Sequence, residues 1–419
     1  MRNRLSLAAA ALSCLLFASH AYAGGEWPQF RGPTGQGISA ATGVPTEWSA
    51  SKNVAWKIDV PGSGWSSPVL SDDKIYLTTA LVDPSSPPAL GVFCYDGKTG
   101  KKLWGTEVFR PDPNAVRKMH PKNSPASATP IVTDNRLYVH FGHLGSAALD
   151  LTGKVVWRQT SLNYSPVHGN GGSPILLNGS LIFSCDGGQN PFVAALDANT
   201  GAVKWKTPRN TSAKKPFSFC TPLAIDIDGA TQVIMPGSGF VGGYDPGTGG
   251  ELWRVRYGEG YSVVPRPVFA HDLLFLSSGF DSPVVYAIKP QGAKGDATQT
   301  NIAWTQRKGA PDTPSMLVVG PDVYFISDMG IATCADAVSG KVHWTHRFDG
   351  GFSASPVCAE GRIYYQSEAG VGYVIKAGEE FQQLSENDLG ERSLASYAVT
   401  DGAVYIRTQN HLWKITTGK

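Results

Sequence analysis

Charge is scarce in this chain. Of 419 residues 36 are basic and 34 acidic, a charged share of 17% and a net of +2, against roughly 25% charged residues in an average soluble domain. Without a basic excess there is no electrostatic footprint for a phosphate backbone, so nucleic acid is excluded as an expected partner. Long apolar runs are missing as well. Past the first two dozen residues none reaches the ~20 that a membrane-crossing helix needs, and no transmembrane segment is expected. Familiar catalytic signatures are absent, with no G-x-S-x-G elbow, no H-E-x-x-H and no P-loop. Beyond Cys14 the cysteines are Cys94, Cys185, Cys220, Cys334 and Cys358, with no C-x-x-C or Cys/His cluster to hold zinc or a redox pair. They read as small buried hydrophobes.

What is present points elsewhere. A 42% hydrophobic and 10% aromatic composition excludes disorder, and 48 Gly with 29 Pro favour many turns and short strands. Residues 1–23 combine Arg2 and Arg4, an apolar run from Leu5 to Phe17 and the small-residue site Ala21-Tyr22-Ala23. That is the pattern of a secretory signal peptide cleaved after Ala23, implying a periplasmic or secreted protein. Ala11-Leu12-Ser13-Cys14 lacks a Leu three positions before the Cys, so a lipid anchor is not expected.

An internal repeat organises the remainder. Asp96-Gly-Lys-Thr-Gly100-Lys-Lys-Leu-Trp104 recurs as Asp150 to Trp157, Asp197 to Trp205, Asp245 to Trp253 and Asp336 to Trp344, always with Trp four positions after Gly. The Asp can cap a turn through downstream amides, and the Gly supplies its positive φ. Alternation then carries the Trp to one face of the next strand. At ~25 cal/mol/Å², burying about 150–250 Å² of Trp contributes up to roughly 4–6 kcal/mol, enough to join one repeat to its neighbour.

Upstream of each motif lies a small-residue-Pro step, a short apolar strand, a turn and a β-rich run. The steps are Ser67-Pro68, Thr129-Pro130, Ser173-Pro174, Thr221-Pro222, Arg266-Pro267 and Ser355-Pro356, with Ser315-Met316 and Tyr397-Ala398 as variants. Eight units of four short strands result. The fifth carries an excursion from Lys289 to Asn301 before Trp304, and the seventh places Phe381 where Trp is expected. The eighth ends at Trp413 with no fourth strand, while Asn53-Val-Ala-Trp56-Lys-Ile matches a Trp strand with no repeat before it. The expected fold is an all-β, eight-bladed β-propeller of four-stranded blades, closed by an N-terminal strand that completes the last blade. Residues 53–419 form it, and residues 24–52, aromatic at Trp27, Phe30 and Trp48, are expected to pack on the ring. Trp56, Trp104, Trp157, Trp205, Trp253, Trp304 and Trp344 are the structural repeat positions.

These D-x-x-T-G-x-x-x-W repeats, with the closing strand supplied from the N-terminus, resemble the quinoprotein alcohol dehydrogenase superfamily of PQQ-like repeats. The resemblance covers about residues 53–419. It implies an eight-bladed ring and two contrasting roles, dehydrogenases that bind pyrroloquinoline quinone with calcium and a periplasmic outer-membrane-protein assembly lipoprotein that binds protein partners. Trp27-Pro-Gln-Phe-Arg-Gly-Pro33, followed by Gly35 and Gly37, is further similar to exported propellers known only by their quinone-like repeats. The dehydrogenases carry adjacent cysteines against the cofactor and long insertions; this chain has neither.

A propeller gathers loops around its central channel, so non-repeating polar residues just before the innermost strands are the site candidates. They are His120, Lys122, Asn123, His168, Asn170, Lys215, Tyr261, Arg266, Asp312 and Arg392, with Lys214 and Glu259 nearby. The balance reads as basic, suited to an anionic ligand, and poor in the oxygen ligands calcium requires. No metal site and no confident catalytic residue are expected. The resulting expectation is an exported, monomeric binding or scaffold module for a protein, glycan or anionic ligand at the channel mouth. The alternatives are an alcohol or sugar dehydrogenase using pyrroloquinoline quinone with calcium, and a polysaccharide hydrolase or lyase.

Overall fold

The computed structural model describes residues 25–83, 86–116 and 119–418; the signal-peptide expectation for residues 1–23 falls outside them. Eight antiparallel blades follow one another around a ring, each running from an inner strand outward. Blade one is Val69–Ser71, Lys74–Asp83, Ser86–Asp96 and Lys102–Phe109. The same order repeats until blade eight, made of Ala398–Thr400, Ala403–Arg407 and His411–Thr416. Its fourth strand is Val54–Asp59, antiparallel to His411–Thr416 with Trp56 opposite Lys414. Beginning and end of the ring are thus hydrogen-bonded to each other, which leaves no open seam.

The repeat motif explains how blades join. Asp96 Oδ1 accepts hydrogen bonds from the amides of Lys98 (3.1 Å) and Thr99 (2.7 Å) and from the Thr99 hydroxyl (2.7 Å). Asp197 and Asp245 repeat the arrangement with Thr200 and Thr248. These bonds hold the Asp96 carboxyl below its ordinary range. Gly100 follows at φ +73°. Its missing side chain matters for a second reason, since a Cβ there would lie 3.0 Å from Trp56 of the preceding blade. At Gly153 and Gly201 the corresponding distances to Trp104 and Trp157 are 2.8 and 2.5 Å. Each indole then donates onward, Trp104 Nε1 to Leu151 O at 3.2 Å, Trp157 to Ala198 O at 2.9 Å and Trp205 to Pro246 O at 3.0 Å.

Where a repeat lacks the motif, something else fills its place. Blade five has no turn to receive Trp253, whose Nε1 donates within its own blade to Gln232 Oε1 at 2.7 Å. The Lys289–Asn301 excursion covers it instead, adding Gly295–Asp296 as a parallel fifth strand beside Trp253. Blade seven corrects an expectation. Strand register puts Ser385, opposite Val374 at the bulge, in the Trp position, and Phe381 lies before that strand against Trp344 at 5.2 Å. The missing indole comes from outside the repeat. Trp48 stacks on Tyr364 of blade seven, centroids 6.5 Å apart, much as Trp104 meets Tyr76 at 6.0 Å and Trp344 meets Tyr324 at 6.1 Å.

Trp48 belongs to a strap that laces the ring. Trp27 pairs with Leu70 of blade one, and Pro28 O accepts from Val132 N of blade two at 2.9 Å. Phe30 O then accepts from Arg266 Nη1 of blade five at 2.8 Å, and Arg31 Nη2 donates to Met316 O of blade six at 2.5 Å. Ile38–Ser39 runs parallel to Val357–Ala359, the inner strand of blade seven. The strap crosses the channel at the end where the inner strands finish. Gly35 and Gly37 allow this passage: a Cβ on either would meet the guanidinium of Arg266 at 2.2 Å or of Arg31 at 2.6 Å. Among the described residues no helix is long and apolar enough to cross a membrane.

Candidate functional site

With the strap across one end, the channel is a well of about 860 Å³ whose lining includes Phe30. Its mid-wall is built by the small residues that begin the inner strands. Ser67 N donates to Thr129 Oγ1 (3.0 Å), Thr129 N to Ser173 Oγ (2.9 Å) and Ser173 N to Thr221 Oγ1 (2.9 Å). Past blade five the chain resumes through Ser315 N to Ser355 Oγ, Ser355 N to Ser396 Oγ and Ser396 N back to Ser67 Oγ, at 2.9 to 3.2 Å. Seven hydroxyls therefore ring the well, all of them in its wall. The small-residue-Pro step of the sequence is this ring, each hydroxyl stitching a blade to the one before it.

Blade five breaks the series with Arg266. Its amide keeps the stitch by donating to Ser315 Oγ at 2.9 Å, but its buried guanidinium runs behind the wall, Nε to Pro222 O at 2.9 Å and Nη1 to Phe30 O. It anchors the strap and does not line the well. Burial lowers its pKa to about 10, and burial together with Arg266 lowers that of Arg31 to about 9, so both stay charged at neutral pH.

At the mouth the loops bring His120, Lys122, Asn123, His168, Lys215 and Tyr261 into the lining. Aromatic rings form a crescent over blades two to five: His120 to His168, His168 to Phe217 and Phe217 to Tyr261 are each 5.5 Å between centroids, and Tyr261 to Phe280 is 6.1 Å. Burial, then the charges of His168 and Lys122, lower the His120 pKa. Asn170 stands behind this wall, donating to Gly172 O at 3.1 Å and accepting from Tyr164 at 3.3 Å. Arg392 lies at the rim with its guanidinium 5.6 Å over the Trp65 ring. Lys214 donates its amide to Glu259 at 3.5 Å.

The mouth is not basic, which revises the charge balance read from the entry loops alone. Loops between the second and third strands add Asp281, Asp328 and Glu368. Lys122 Nζ meets Glu368 Oε1 at 2.6 Å, and Ser353 Oγ donates to the same oxygen at 2.7 Å. Lys215 Nζ bonds Tyr261 Oη at 2.8 Å and lies 3.8 Å from Asp281, while Tyr261 Oη donates to Asp281 at 2.6 Å. Asp328 accepts from the amides of Asp312 (3.0 Å) and Thr313 (2.8 Å) and from the Thr313 hydroxyl (2.6 Å). Asp312 sits beside the wall with Oδ1 buried and unpartnered. Burial, then Asp328 and Asp281, raise its pKa to about 7. A signal for two of the added acids exists in the sequence, since Ser327-Asp328-Met-Gly330 and Ser367-Glu368-Ala-Gly370 repeat after equivalent strands.

Comparison with known proteins agrees with this architecture. A family model described as outer membrane protein assembly factor BamB matches residues 35–163, 90–335 and 316–416. Among curated proteins, quinohemoprotein alcohol dehydrogenase ADH IIB of Pseudomonas putida is 27% identical over 380 residues, 83% of this chain and 52% of that protein. The quinone-dependent alcohol dehydrogenase subunit of Gluconobacter oxydans is 27% identical over 288 residues, 65% of this chain and 34% of its own. The chain thus spans about half or less of the length of these relatives. In fold it is similar to BamB from Moraxella catarrhalis, with TM-score 0.62 and 14% identity over 87% of this chain and 97% of that one. It is also similar to the computationally designed Ika8, with TM-score 0.58 and 11% identity over 85% and 98%. By the family match, which takes in most of its length, the chain belongs to the PQQ-like repeat propellers grouped with outer membrane protein assembly factor BamB.

Proposed function

We propose that this protein is an exported binding propeller whose ligand enters the well at the channel mouth. The observation that carries the reading is the blind well itself, about 860 Å³ with an aromatic crescent and a hydroxyl ring in its wall. Such a concave, largely apolar space with a few convergent polar groups is the usual form of a small-ligand site. Export rests on residues 1–23 and on the company of BamB and the quinoprotein dehydrogenases.

Pyrroloquinoline quinone with calcium, which the dehydrogenase relatives imply, does not fit the residues present. A carboxylated cofactor wants free cations inside the well, yet Lys122 is bound to Glu368, Lys215 to Tyr261 and Asp281, Arg266 to two main-chain oxygens, and Arg392 stays at the rim over Trp65. Calcium wants six to eight oxygen ligands, and among the described residues no three His, Cys, Asp or Glu side chains are grouped to hold an ion.

Gly171 provides the test. It lines the well, and the nearest atom to an added Cβ is Phe219 Cβ at 3.5 Å, so a larger side chain can be introduced without backbone strain. Fragments screened by ligand-observed NMR should bind the native chain and be lost in Gly171→Phe. Fragment binding that survives the substitution would place the site elsewhere.

A further inference from the structure

We infer that the well receives the end of an uncharged carbohydrate chain; this rests on the reading of the well as a binding site and names its ligand class. Three features of the wall converge on that chemistry. The first is division of labour between its sides. Phe280, 51% exposed, presents apolar ring surface over blade five, with the buried rings of Tyr261 and Phe217 in line beside it and Lys215 Nζ 4.1 Å over the Tyr261 ring. Next to them around the wall, blades six and seven offer Thr313, Ser315, Ser353 and Ser355. A pyranose has the matching form, a C–H face that packs on aromatic rings and an equatorial edge of hydroxyls.

The second feature is hydrogen-bond polarity. Every hydroxyl of the seven-membered ring accepts a main-chain amide, and Ser355 also donates to Ser315 Oγ at 3.0 Å. The other six O–H groups have no protein acceptor among the described residues. An apolar guest that displaced water would leave each donor unsatisfied at a cost of about 1–3 kcal/mol. Sugar hydroxyls and ring oxygens supply acceptors and can donate in return.

The third is charge. Lys122, Lys215, Asp281, Asp328 and Glu368 are all engaged with one another or with Thr313, Tyr261, Ser353 and main-chain amides. These pairs lie at the partly exposed mouth, where a charged guest gains little by exchanging partners, and deeper in the well, past Arg392 at the rim, it would bring an unpaired charge into a low-dielectric space. A neutral guest meets no such cost. Because Phe30 and the strap cross the far end, the chain enters by its terminus and does not thread through.

Isothermal titration of the full exported chain tests this with four probes: the trimers of β-1,4-linked glucose and of N-acetylglucosamine, a galacturonate trimer, and pyrroloquinoline quinone with calcium. The expected result is saturable binding of a neutral trimer, weakened about tenfold by Phe280→Ala through loss of one aromatic contact and abolished by Gly171→Phe. Binding of a charged probe alone, lost in Gly171→Phe, overturns the carbohydrate inference and leaves the well as the site. Neutral-trimer binding that survives both substitutions overturns both readings. No binding by any probe overturns the carbohydrate inference, while the fragment screen decides the well separately.

Discussion

Trp48 lies flat against Tyr364, planes 11° apart, in the slot where the other blades hold a tryptophan of their own strand. A loop residue outside the repeat thus completes blade seven, whose register position belongs to Ser385. Trp48 also meets Tyr397 edge-on at 6.1 Å and donates its amide N–H to Asn387 Oδ1 at 2.8 Å, so it spans the seam to blade eight.

Trp48→Ala should therefore cost as much as loss of a repeat tryptophan, about 3–5 kcal/mol. Urea unfolding of this variant beside Trp104→Ala measures the comparison. A loss under ~1 kcal/mol for Trp48→Ala alone would show that blade seven does without the borrowed ring.

Removing residues 53–60 deletes the strand paired with His411–Thr416. The edge so exposed should lower the unfolding midpoint of the whole ring and promote association between molecules. Calorimetry and light scattering report both. Unchanged stability would mean that the ring closes by packing without this strand.

Arg266→Ser would regularise the hydroxyl ring but leave Phe30 O and Pro222 O without their buried donor. A cost of about 2 kcal/mol or more is expected, together with faster proteolysis between Trp27 and Trp48. Gly35→Ala should loosen the same segment, because its φ of +69° and the Arg266 guanidinium both oppose a Cβ. Equal protease resistance in all three proteins would refute the anchoring role.

A buried histidine and a half-buried aspartate set opposite pH slopes. His140 is fully buried beside Phe183, and burial lowers its pKa to about 3. The unfolded chain binds that proton more readily, so its contribution is complete above pH ~6.5 and drains as pH falls toward 3. Asp312, raised to about 7, contributes in reverse, its share being lost as pH rises from ~4 through 7. His140→Gln should flatten the acid limb of stability against pH, and Asp312→Asn the limb approaching neutrality. Parallel profiles for native and variant chains would contradict these assignments.

Blade number, the closing strand and the Asp-Gly-Trp junctions were legible in the sequence because each blade solves the same packing problem with the same residues. The Lys289–Asn301 excursion and the packing of the N-terminal segment were also legible, but not that the one covers Trp253 and the other lends Trp48 to blade seven, since each solves a local defect once and leaves no period. Arg266 was singled out as a non-repeating polar residue before an inner strand, and with Ser396 rather than Tyr397 in the eighth place it is the one break in the ring of Ser and Thr; a break in pattern does not say whether the side chain faces the well or runs behind it. The acids of the mouth were missed because they come from loops two strands away from the candidates. Lys122 and Glu368, 246 positions apart, meet only once blades two and seven share a ring.

The strap's contacts also dictate an order of events as the chain emerges. Trp27 needs only Leu70, but Arg31 must wait for Met316, Trp48 for Asn387 and Val54 for Ile415. The first described segment is among the last to find its place, and until about residue 415 is available the blades already formed have neither floor nor seal. A factor that holds residues 25–54 extended while the blades form would thus hold the whole well open, and release of that segment would be the step that turns a row of blades into a vessel.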